Sequence, residues 1–321
     1  MGSKLDFVVY ILDPFHEAAI DLIQSIPYVR AILPEESRKS DWHKDADGIM
    51  IRSDSRLTAE DFEKAAHLRV VVKQGVGVDN IDLAAAKKHG VAVHNTPALN
   101  SESVAELSMA LTLSLSRRLG EIDRAVRRGD TVIRSEVLST SMFRKTIGVI
   151  GMGNIGKFIA RKWIGAFECR IISFDPHAPE QAWPDVKHTR AFCLEDLLRI
   201  SDVVTLHVPL LDSTRGMIGP HELGLMKETS ILVNCSRGGI VNELALLEAL
   251  EGKMIGGAAL DVMETEPPTL QVYGAFLKHP NVIMTPHIGG STRENQSRSS
   301  MAVVETLMDV LEGREAGGKL V

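Results

Sequence analysis

Cysteine is scarce in this sequence, and its few cysteines are far apart. Cys169, Cys193 and Cys235 are the only three among 321 residues, and no two of them have the spacing of metal ligands. An odd, dispersed set of cysteines argues against a disulfide framework and for a reducing compartment. We therefore expect a cytoplasmic protein without a metal site.

Long apolar runs and an excess of basic charge are also missing. No stretch of about 18 apolar residues occurs, so we expect no transmembrane helix. Residues 1–6 lack the apolar core of a secretory signal peptide. The 36 basic and 42 acidic side chains give a formal net charge of -6, which is not the electrostatic footprint of a nucleic-acid-binding protein. We expect neither a membrane nor a nucleic-acid partner.

The chain does have length, together with short apolar runs that alternate with helical patterns. Its 321 residues, 44% of them hydrophobic, suffice for two globular domains. Apolar strands between helices predict parallel sheets covered on both faces, and hence an α/β protein with doubly wound sheets. The predicted strands are 7–12, 48–51, 70–73, 91–94, 146–150, 170–174, 203–207, 230–234, 256–260 and 282–284.

A long helix predicted over residues 101–119 separates the two groups of strands. Ser101 or Ser103 can cap its first turn, and a polar, irregular segment follows at 129–145. The last predicted helix, 292–311, comes after the second sheet is complete, so we expect it to pack on the first domain. The predicted domains are 1–99 with 291–321, and 100–290.

A glycine-rich turn between a strand and a helix is the strongest local motif. Its GxGxxG pattern directly follows the apolar run 146–150. The glycines permit a tight turn, a close approach of the backbone to a pyrophosphate, and close packing of the helix on its strand. The helix N-terminus offers free N–H groups to the phosphates. The motif residues expected at the dinucleotide are Gly151, Gly153, Asn154, Ile155 and Gly156.

An acidic residue stands where the next strand ends. Asp175 lies 19 residues after Gly156 and can accept hydrogen bonds from the adenosine ribose hydroxyls. A carboxylate there would repel a 2′-phosphate, and the following Pro176 and His177 supply no arginine to compensate for it. The sequence therefore predicts NAD rather than NADP as the cofactor.

Three loops, each after a predicted strand, carry further polar groups. They are VNCSRGG at 233–239, LDVMETEP at 260–267 and MTPHIGGST at 284–292. In this order they resemble the signatures of the D-isomer-specific 2-hydroxyacid dehydrogenase family, and the resemblance runs from about residue 45 to residue 310. It implies a Rossmann dinucleotide-binding domain and a flavodoxin-like substrate domain, with the active site in the cleft at the carboxyl ends of the strands.

The resemblance implies a catalytic set of Arg237, Glu266 and His287, and the chemistry independently asks for these residue types. Oxidation of a 2-hydroxy acid needs a base for the hydroxyl proton, and histidine titrates in a suitable range. A carboxylate partner holds one tautomer and stabilises the imidazolium. A guanidinium can grip the substrate carboxylate with a fork of donors. Formate dehydrogenases have a glutamine in place of Glu266, so formate oxidation is disfavoured.

The resemblance also implies other residues beside the cofactor. His207 is an alternative base, but we assign it a structural role near the nucleotide. Asp261 would bind the carboxamide of the nicotinamide. The complete set expected near the cofactor, beyond the glycine turn and Asp175, is His207, Pro209, Thr214, Cys235, Asp261 and Gly290.

A glycine-containing loop at 73–82 is the expected carboxylate-binding loop of the substrate domain. In the family this loop binds the substrate carboxylate, here through Val76 and Gly77, and Asn95 lies on the same side of the cleft. Phosphoglycerate dehydrogenases gather basic residues round the substrate phosphate at the positions of Arg52, Lys73 and Arg134. Lys73 departs from their arginine, since it keeps the charge but loses the bidentate geometry.

The best substrate prediction is therefore 3-phosphoglycerate and its 2-oxo product, phosphohydroxypyruvate. The alternative is that Arg52 and Arg134 are surface residues of a reductase of hydroxypyruvate, glyoxylate or branched 2-oxo acids. An alternative of another class is an NAD(H)-sensing binding protein resembling the C-terminal-binding-protein co-repressors, although no basic targeting run is present.

The resemblance further implies a homodimer, built on the helix and arm at about 101–145, in which Arg134 serves the neighbouring site. The sequence ends at Val321, soon after the last predicted helix. We therefore expect either a short form without the regulatory domain of many phosphoglycerate dehydrogenases or a chain cut short.

Overall fold

The structure, a computed structural model, describes residues 7–321. The chain divides into two compact units. The first comprises the described residues up to Asn100 together with Gly290–Val321, and the second is Ser101–Gly289. Within 7–321, no helix has the length and apolar character needed to span a membrane.

The first unit contains a five-stranded parallel sheet with the order β2-β1-β3-β4-β5, which is the flavodoxin-like order. Its strands are β1 (Phe7–Ile11), β2 (Val29–Ile32), β3 (Gly48–Ile51), β4 (Val70–Lys73) and β5 (Ala92–Asn95). Its helices are α1 (Glu17–Gln24), α2 (Ala59–Lys64), α3 (Leu83–Lys88) and α11 (Arg293–Leu311), with a 3-10 segment at Ser37–Lys44.

Both faces of this sheet are covered, as its continuous apolar strands predict. Val70 and Val72 of β4 lie in one buried cluster with Leu307 of α11. Val71, whose side chain points to the opposite face, lies in another cluster with Phe62 of α2. The last helix therefore packs on the first sheet, as expected from its position in the chain.

The second unit contains a seven-stranded parallel sheet with the order β12-β11-β10-β9-β6-β7-β8. Its strands are β6 (Thr146–Ile150), β7 (Arg170–Phe174), β8 (Thr189–Arg190), β9 (Val203–Leu206), β10 (Ile231–Asn234), β11 (Gly257–Leu260) and β12 (Val282–Met284). Its helices are α4 (Ser101–Ser116), α5 (Leu119–Arg127), α6 (Asn154–Phe167), α7 (Leu194–Ile200), α8 (Pro220–Leu225), α9 (Glu243–Glu251) and α10 (Leu270–Lys278). The order reverses between β6 and β9, and in such sheets ligands bind beyond the carboxyl ends of the strands at this reversal.

The ten predicted strands are confirmed to within one residue at each end, but two strands were missed. β2 and β8 lie at the edges of their sheets. β8 has only two residues, both exposed, and β2 contains an exposed arginine. Because an edge strand needs no continuous apolar run, neither segment carries the signal by which the other strands were found.

The predicted helix at 101–119 is interrupted. α4 ends at Ser116, and Arg118 adopts a left-handed conformation with φ 54° before α5 begins. The Arg118 guanidinium donates two hydrogen bonds to Glu121 in the first turn of α5, at 2.8 and 2.6 Å. The chain therefore turns where the sequence pattern had predicted continuous helix.

Candidate functional site

Six of the seven strands of the second sheet, all but β8, end level with one another. Register pairs their last residues, which are Ile150, Phe174, Leu206, Asn234, Leu260 and Met284. The residues that directly follow therefore line one edge of the sheet. They are Gly151, Asp175, His207, Cys235, Asp261 and Thr285, of which all but Thr285 were predicted near the cofactor.

Steric constraints at the turn after β6 explain two of its glycines. Gly151 has φ +98°, and a side chain on it would collide with the backbone carbonyl of His207. A side chain on Gly156 would collide with the Gly151 carbonyl and would lie 3.0 Å from the Trp183 ring. The tight turn and the close packing of α6 therefore both require glycine.

The space beside Gly153 fits a phosphate group. Nothing in 7–321 lies within 4 Å of where a side chain on Gly153 would begin. Gly153 and Asn154 are exposed at the start of α6, and Ile155 is half-buried. The first N–H groups of a helix have no partner within the helix and attract anions. These residues could thus hold the pyrophosphate of a dinucleotide.

Asp175 is held by backbone amides. Its Oδ2 accepts a hydrogen bond from Met152 N–H at 2.9 Å, inside the glycine turn. Its Oδ1 accepts from His177 and Ala178 N–H at 2.9 and 3.1 Å. Oδ2, which accepts only one of these hydrogen bonds, has a second lone pair with which it can accept a ribose hydroxyl.

Sequence reasoning missed an arginine near this carboxylate. Arg190, on the edge strand β8, donates through its guanidinium to the backbone carbonyls of Asp175, Ala178 and Pro179, at 2.9, 3.2 and 2.8 Å. Only pairing of β8 with β7 brings it there, because it lies 15 residues along the chain from Asp175.

His207 is half-buried and, within residues 7–321, is hydrogen-bonded through one ring nitrogen. Its Nε2 shares a hydrogen bond with Thr205 Oγ1 at 2.8 Å, and its buried Nδ1 has no hydrogen-bond partner among the residues described. Burial lowers the pKa of His207 to about 3, so the ring is neutral near neutral pH. So low a pKa makes the ring a weak base, and the structural role of His207 stays the prediction.

Two further predicted cofactor neighbours are held within their own loops. Thr214 Oγ1 donates to the Pro209 carbonyl at 2.6 Å and accepts from Leu211 N–H at 2.8 Å, so it braces the turn after β9. Cys235 is buried, and desolvation raises the pKa of its thiol. The Cys235 side chain is therefore an uncharged thiol at the carboxyl edge of the second sheet.

The structure joins two of the three predicted catalytic residues directly. His287 Nδ1 and Glu266 Oε2 are 2.8 Å apart, and Oε1 of the same carboxylate accepts from Met263 N–H at 3.1 Å. Burial tends to raise the pKa of Glu266, but the hydrogen bond to His287, that from Met263 and the charge of Arg237 hold it below its ordinary value. Glu266 is therefore a carboxylate at neutral pH.

Arg237, the third member, is half-buried on the loop after β10. Arg237 Nη1 donates to the Ser236 carbonyl at 2.6 Å, and the Arg237 carbonyl accepts from Asn234 Nδ2 at 2.9 Å. The neighbouring Gly238 packs against the backbone of Met263, where a side chain would collide with the carbonyl. The loops of Arg237 and Glu266 are thus in direct contact.

Asp261 supports the loop that carries His287. Its Oδ1 accepts from Thr285 Oγ1 and Ile288 N–H at 2.6 and 2.8 Å, and its Oδ2 accepts from Gly289 N–H at 2.8 Å. Only 1% of Asp261 is exposed, and desolvation raises its pKa. The structure thus gives Asp261 a loop-holding role, while its contact to nicotinamide stays a prediction.

The predicted substrate residues of the first unit gather at the carboxyl edge of its sheet. Register places Ile51 opposite Lys73 and Lys73 opposite Asn95, so Arg52 is the residue just beyond β3. Lys73 and Asn95 are buried, and Asn95 Nδ2 donates to the Val76 carbonyl at 2.7 Å.

The remaining predicted substrate and cofactor residues have different settings. Arg52 Nη1 donates to the Pro14 carbonyl at 2.8 Å, and Val76 is 44% exposed beside a half-buried Gly77. Arg134 is exposed between α5 and β6 of the second unit. Gly290 belongs to the first unit, where its carbonyl accepts from Asn295 and Gln296.

Comparison with known proteins agrees with this geometry. Residues 109–289 match the NAD-binding domain of the D-isomer specific 2-hydroxyacid dehydrogenases. The chain is 39% identical to D-3-phosphoglycerate dehydrogenase of Methanocaldococcus jannaschii, over 96% of this chain and 58% of that protein. It is 35% identical to hydroxypyruvate reductase of Thermotoga maritima, over 94% of this chain and 98% of that protein.

A solved structure shows the same likeness. D-lactate dehydrogenase of Aquifex aeolicus, in complex with NAD and lactic acid, superposes with a TM-score of 0.83 at 29% identity, covering 95% of this chain and 96% of that chain. The chain spans about half the length of other phosphoglycerate dehydrogenases that it matches, among them that of Bacillus subtilis.

Proposed function

Since this chain belongs to the D-isomer-specific 2-hydroxyacid dehydrogenase family and its second unit is the NAD-binding domain, we propose that it is an NAD-dependent D-2-hydroxyacid dehydrogenase. Arg237, Glu266 and His287 are its proposed catalytic residues. The hydrogen bond of 2.8 Å between His287 and Glu266, at the carboxyl edge of the sheet, carries the proposal. The glycine turn and Asp175 are the proposed dinucleotide site.

The geometry suggests how these side chains divide the chemistry. Because Nδ1 of His287 is engaged with Glu266, Nε2 is the nitrogen that takes the hydroxyl proton of a 2-hydroxy acid and returns it in the reverse reaction. Glu266 stabilises the imidazolium formed in that step. Arg237 holds and orients the substrate carboxylate. Bound NAD supplies the acceptor for the hydride from C2.

For the substrate we propose 3-phosphoglycerate and phosphohydroxypyruvate. Arg52 directly follows β3, and Lys73 is the last residue of the adjacent strand β4. Two cations therefore lie at the edge of the first sheet that also carries the proposed carboxylate loop with Val76 and Gly77. The likeness to a phosphoglycerate dehydrogenase supports this choice. The likeness to a hydroxypyruvate reductase over nearly its whole length favours an unphosphorylated 2-oxo acid as the second candidate.

A steady-state panel of NADH oxidation tests the proposal. We expect turnover with phosphohydroxypyruvate to exceed that with hydroxypyruvate, glyoxylate and branched 2-oxo acids, and NADPH to be a poor substitute. His287→Ala should reduce turnover by about 100-fold or more, the range typical of a lost general base. Full activity in that variant would remove His287 from the mechanism.

Arg134 separates the two substrate candidates. Arg134→Ala should weaken turnover of phosphohydroxypyruvate more than that of hydroxypyruvate, because only the former presents a phosphate to the guanidinium. Equal losses with both substrates would leave the unphosphorylated substrate as the better candidate.

We also propose a homodimer formed through the segment 101–145, in which Arg134 reaches the neighbouring site.

A further inference from the structure

Two side chains outside the proposed catalytic set hold the loop that carries Glu266. Glu243 is the first residue of α9, and its Oε1 accepts a hydrogen bond from Glu264 N–H at 2.7 Å. Tyr273 lies in α10, and its hydroxyl oxygen accepts from Thr265 N–H at 3.0 Å. The same hydroxyl donates to Glu243 Oε2 at 3.0 Å, which links the two side chains into one bracket.

With the bracket, each of three consecutive backbone N–H groups of the loop has a side-chain acceptor. Met263, Glu264 and Thr265 are consecutive, and their N–H groups donate to three different side chains. The first of these is Glu266 itself, and the other two form the bracket. The backbone before the catalytic carboxylate is therefore tied on one side to that carboxylate and on the other to α9 and α10.

Burial shows that the bracket is more than a surface contact. Tyr273 is only 2% exposed, and Glu243 is half-buried. Desolvation raises the pKa of Glu243 even though it accepts two hydrogen bonds, and the nearby charges of Glu264 and Glu266 act in the same direction. A half-buried carboxylate beside like charges is costly, so the hydrogen bonds from Glu264 N–H and the Tyr273 hydroxyl must offset that cost.

The tied segment also lies against the loop of Arg237. The peptide between Met263 and Glu264 packs on Gly238, where no side chain would fit. The Glu264 N–H that donates to Glu243 belongs to this same peptide. Displacing that peptide would therefore change the position of Glu266 relative to both His287 and Arg237.

We propose that Glu243 and Tyr273 are positioning residues that set the placement of the Glu266 carboxylate against His287 and Arg237. This inference rests on the proposed catalytic role of that set. Neither residue need touch the substrate, since both act through the backbone of residues 263–265. Their loss should lower kcat and leave the affinity for NADH unchanged.

Tyr273→Phe is the principal test, because it removes one hydroxyl and keeps the buried ring. We expect kcat with the best 2-oxo acid to fall about tenfold, because the variant loses both hydrogen bonds of the hydroxyl, to Thr265 N–H and to Glu243. KM and the dissociation constant for NADH should stay within about twofold. Tyr28→Phe is the matched control, since Tyr28 also donates to a glutamate, Glu312, but in the first unit.

Glu243 supplies a graded pair of variants. Glu243→Gln keeps an acceptor for Glu264 N–H, so it should retain more of kcat than Glu243→Ala, which removes the acceptor. An equal loss in both variants would assign the effect to charge and overturn the bracket as described. If Glu243→Ala fails to fold, Glu243→Gln compared with Tyr273→Phe decides the same question.

The outcomes separate this inference from the function on which it rests. If His287→Ala keeps full turnover, the proposed catalytic set is wrong. If His287→Ala is inactive while Tyr273→Phe and Glu243→Ala keep kcat within twofold of the unmodified protein, only the positioning role fails. A loss of kcat matched by an equal loss of NADH affinity would show general disruption of the second unit, which also overturns the inference.

Discussion

At the scale of single residues, Glu266 is where the contacts of the candidate site converge. One oxygen meets His287 and the other meets Met263 N–H, within reach of the charge of Arg237. The pKa of Glu266 is held below its ordinary value of 4.5, so its ionised form is preferentially stabilised by the folded protein. This makes the stability of the protein depend on pH at a defined position.

The sign of that dependence follows from the lowered pKa. The stabilisation is fully present above the unfolded value of 4.5 and is lost as pH falls through the lower folded pKa. Glu266→Gln should therefore reduce the free energy of unfolding near pH 7, and the difference from the unmodified protein should shrink near pH 3. Urea unfolding at both pH values measures this difference in the free energy of unfolding. Glu264→Gln is the control, because the Glu264 side chain is exposed. A difference that grows on acidification would contradict this assignment.

Asp175 and Arg190 make cofactor choice testable at single residues. Asp175→Ala should remove the repulsion of a 2′-phosphate and leave the Arg190 guanidinium, already bonded to the same turn, to attract it. We expect the preference for NADH over NADPH, measured as the ratio of kcat/KM values, to narrow at least about tenfold. Adding Arg190→Ala to this variant should abolish the gain with NADPH. An unchanged ratio in Asp175→Ala would place the ribose elsewhere.

At the scale of elements, glycines allow the backbones of neighbouring loops after the strands to come into direct contact. Gly238 touches the Met263 backbone, and Gly238→Ala would force the loops of Arg237 and Glu266 apart. We expect this variant to lose kcat by more than about tenfold and to melt at a lower temperature. Retention of full activity would show that the contact between the two loops is not needed.

Gly165 is the matched control for that substitution. It lies exposed inside α6, and nothing in the described part of the chain lies within 4 Å of where its side chain would begin. Gly165→Ala should therefore stabilise the protein by about 1 kcal/mol through helix propensity, with no change in activity. Thermal unfolding and steady-state kinetics of the two variants check both outcomes.

At the scale of the whole molecule, the proposed homodimer accounts for exposed apolar side chains in one segment. Leu138 is 79% exposed, and Ile133 and Phe143 are each about half exposed, all within the arm between α5 and β6. We propose that these side chains contribute to one interaction site. We propose that this arm packs against the same arm of a second copy of the chain.

Light scattering tests this assembly. We expect twice the 35.1 kDa mass of one chain, and a single-chain mass for Leu138→Asp. Phe192→Asp is the control, because Phe192 is 97% exposed in the second unit but lies outside the arm, so its variant should keep the mass of the dimer. A monomer with full activity in the unmodified protein would rule the dimer out as a requirement for catalysis.

Much of the fold and of the site could be predicted from the sequence by itself. The buried strands and the glycine turn depend on features a few residues long, whereas Arg237, Glu266 and His287 were predicted from the resemblance of three ordered loops to one family. Apolar periodicity and the steric freedom of glycine act locally, so they are legible in a linear sequence. The edge strands β2 and β8 escaped because they lack that periodicity.

Only the tertiary structure decided which of these local features meet. The Glu266–His287 hydrogen bond spans 21 residues, Arg190 reaches the Asp175 turn through an edge strand, and Glu243 meets Tyr273 across 30 residues. Each contact depends on how separate strands and helices pack. Local propensities act over a few residues and do not determine which distant segments meet. The sequence thus determined which chemical groups are available, and packing decided which of them act together.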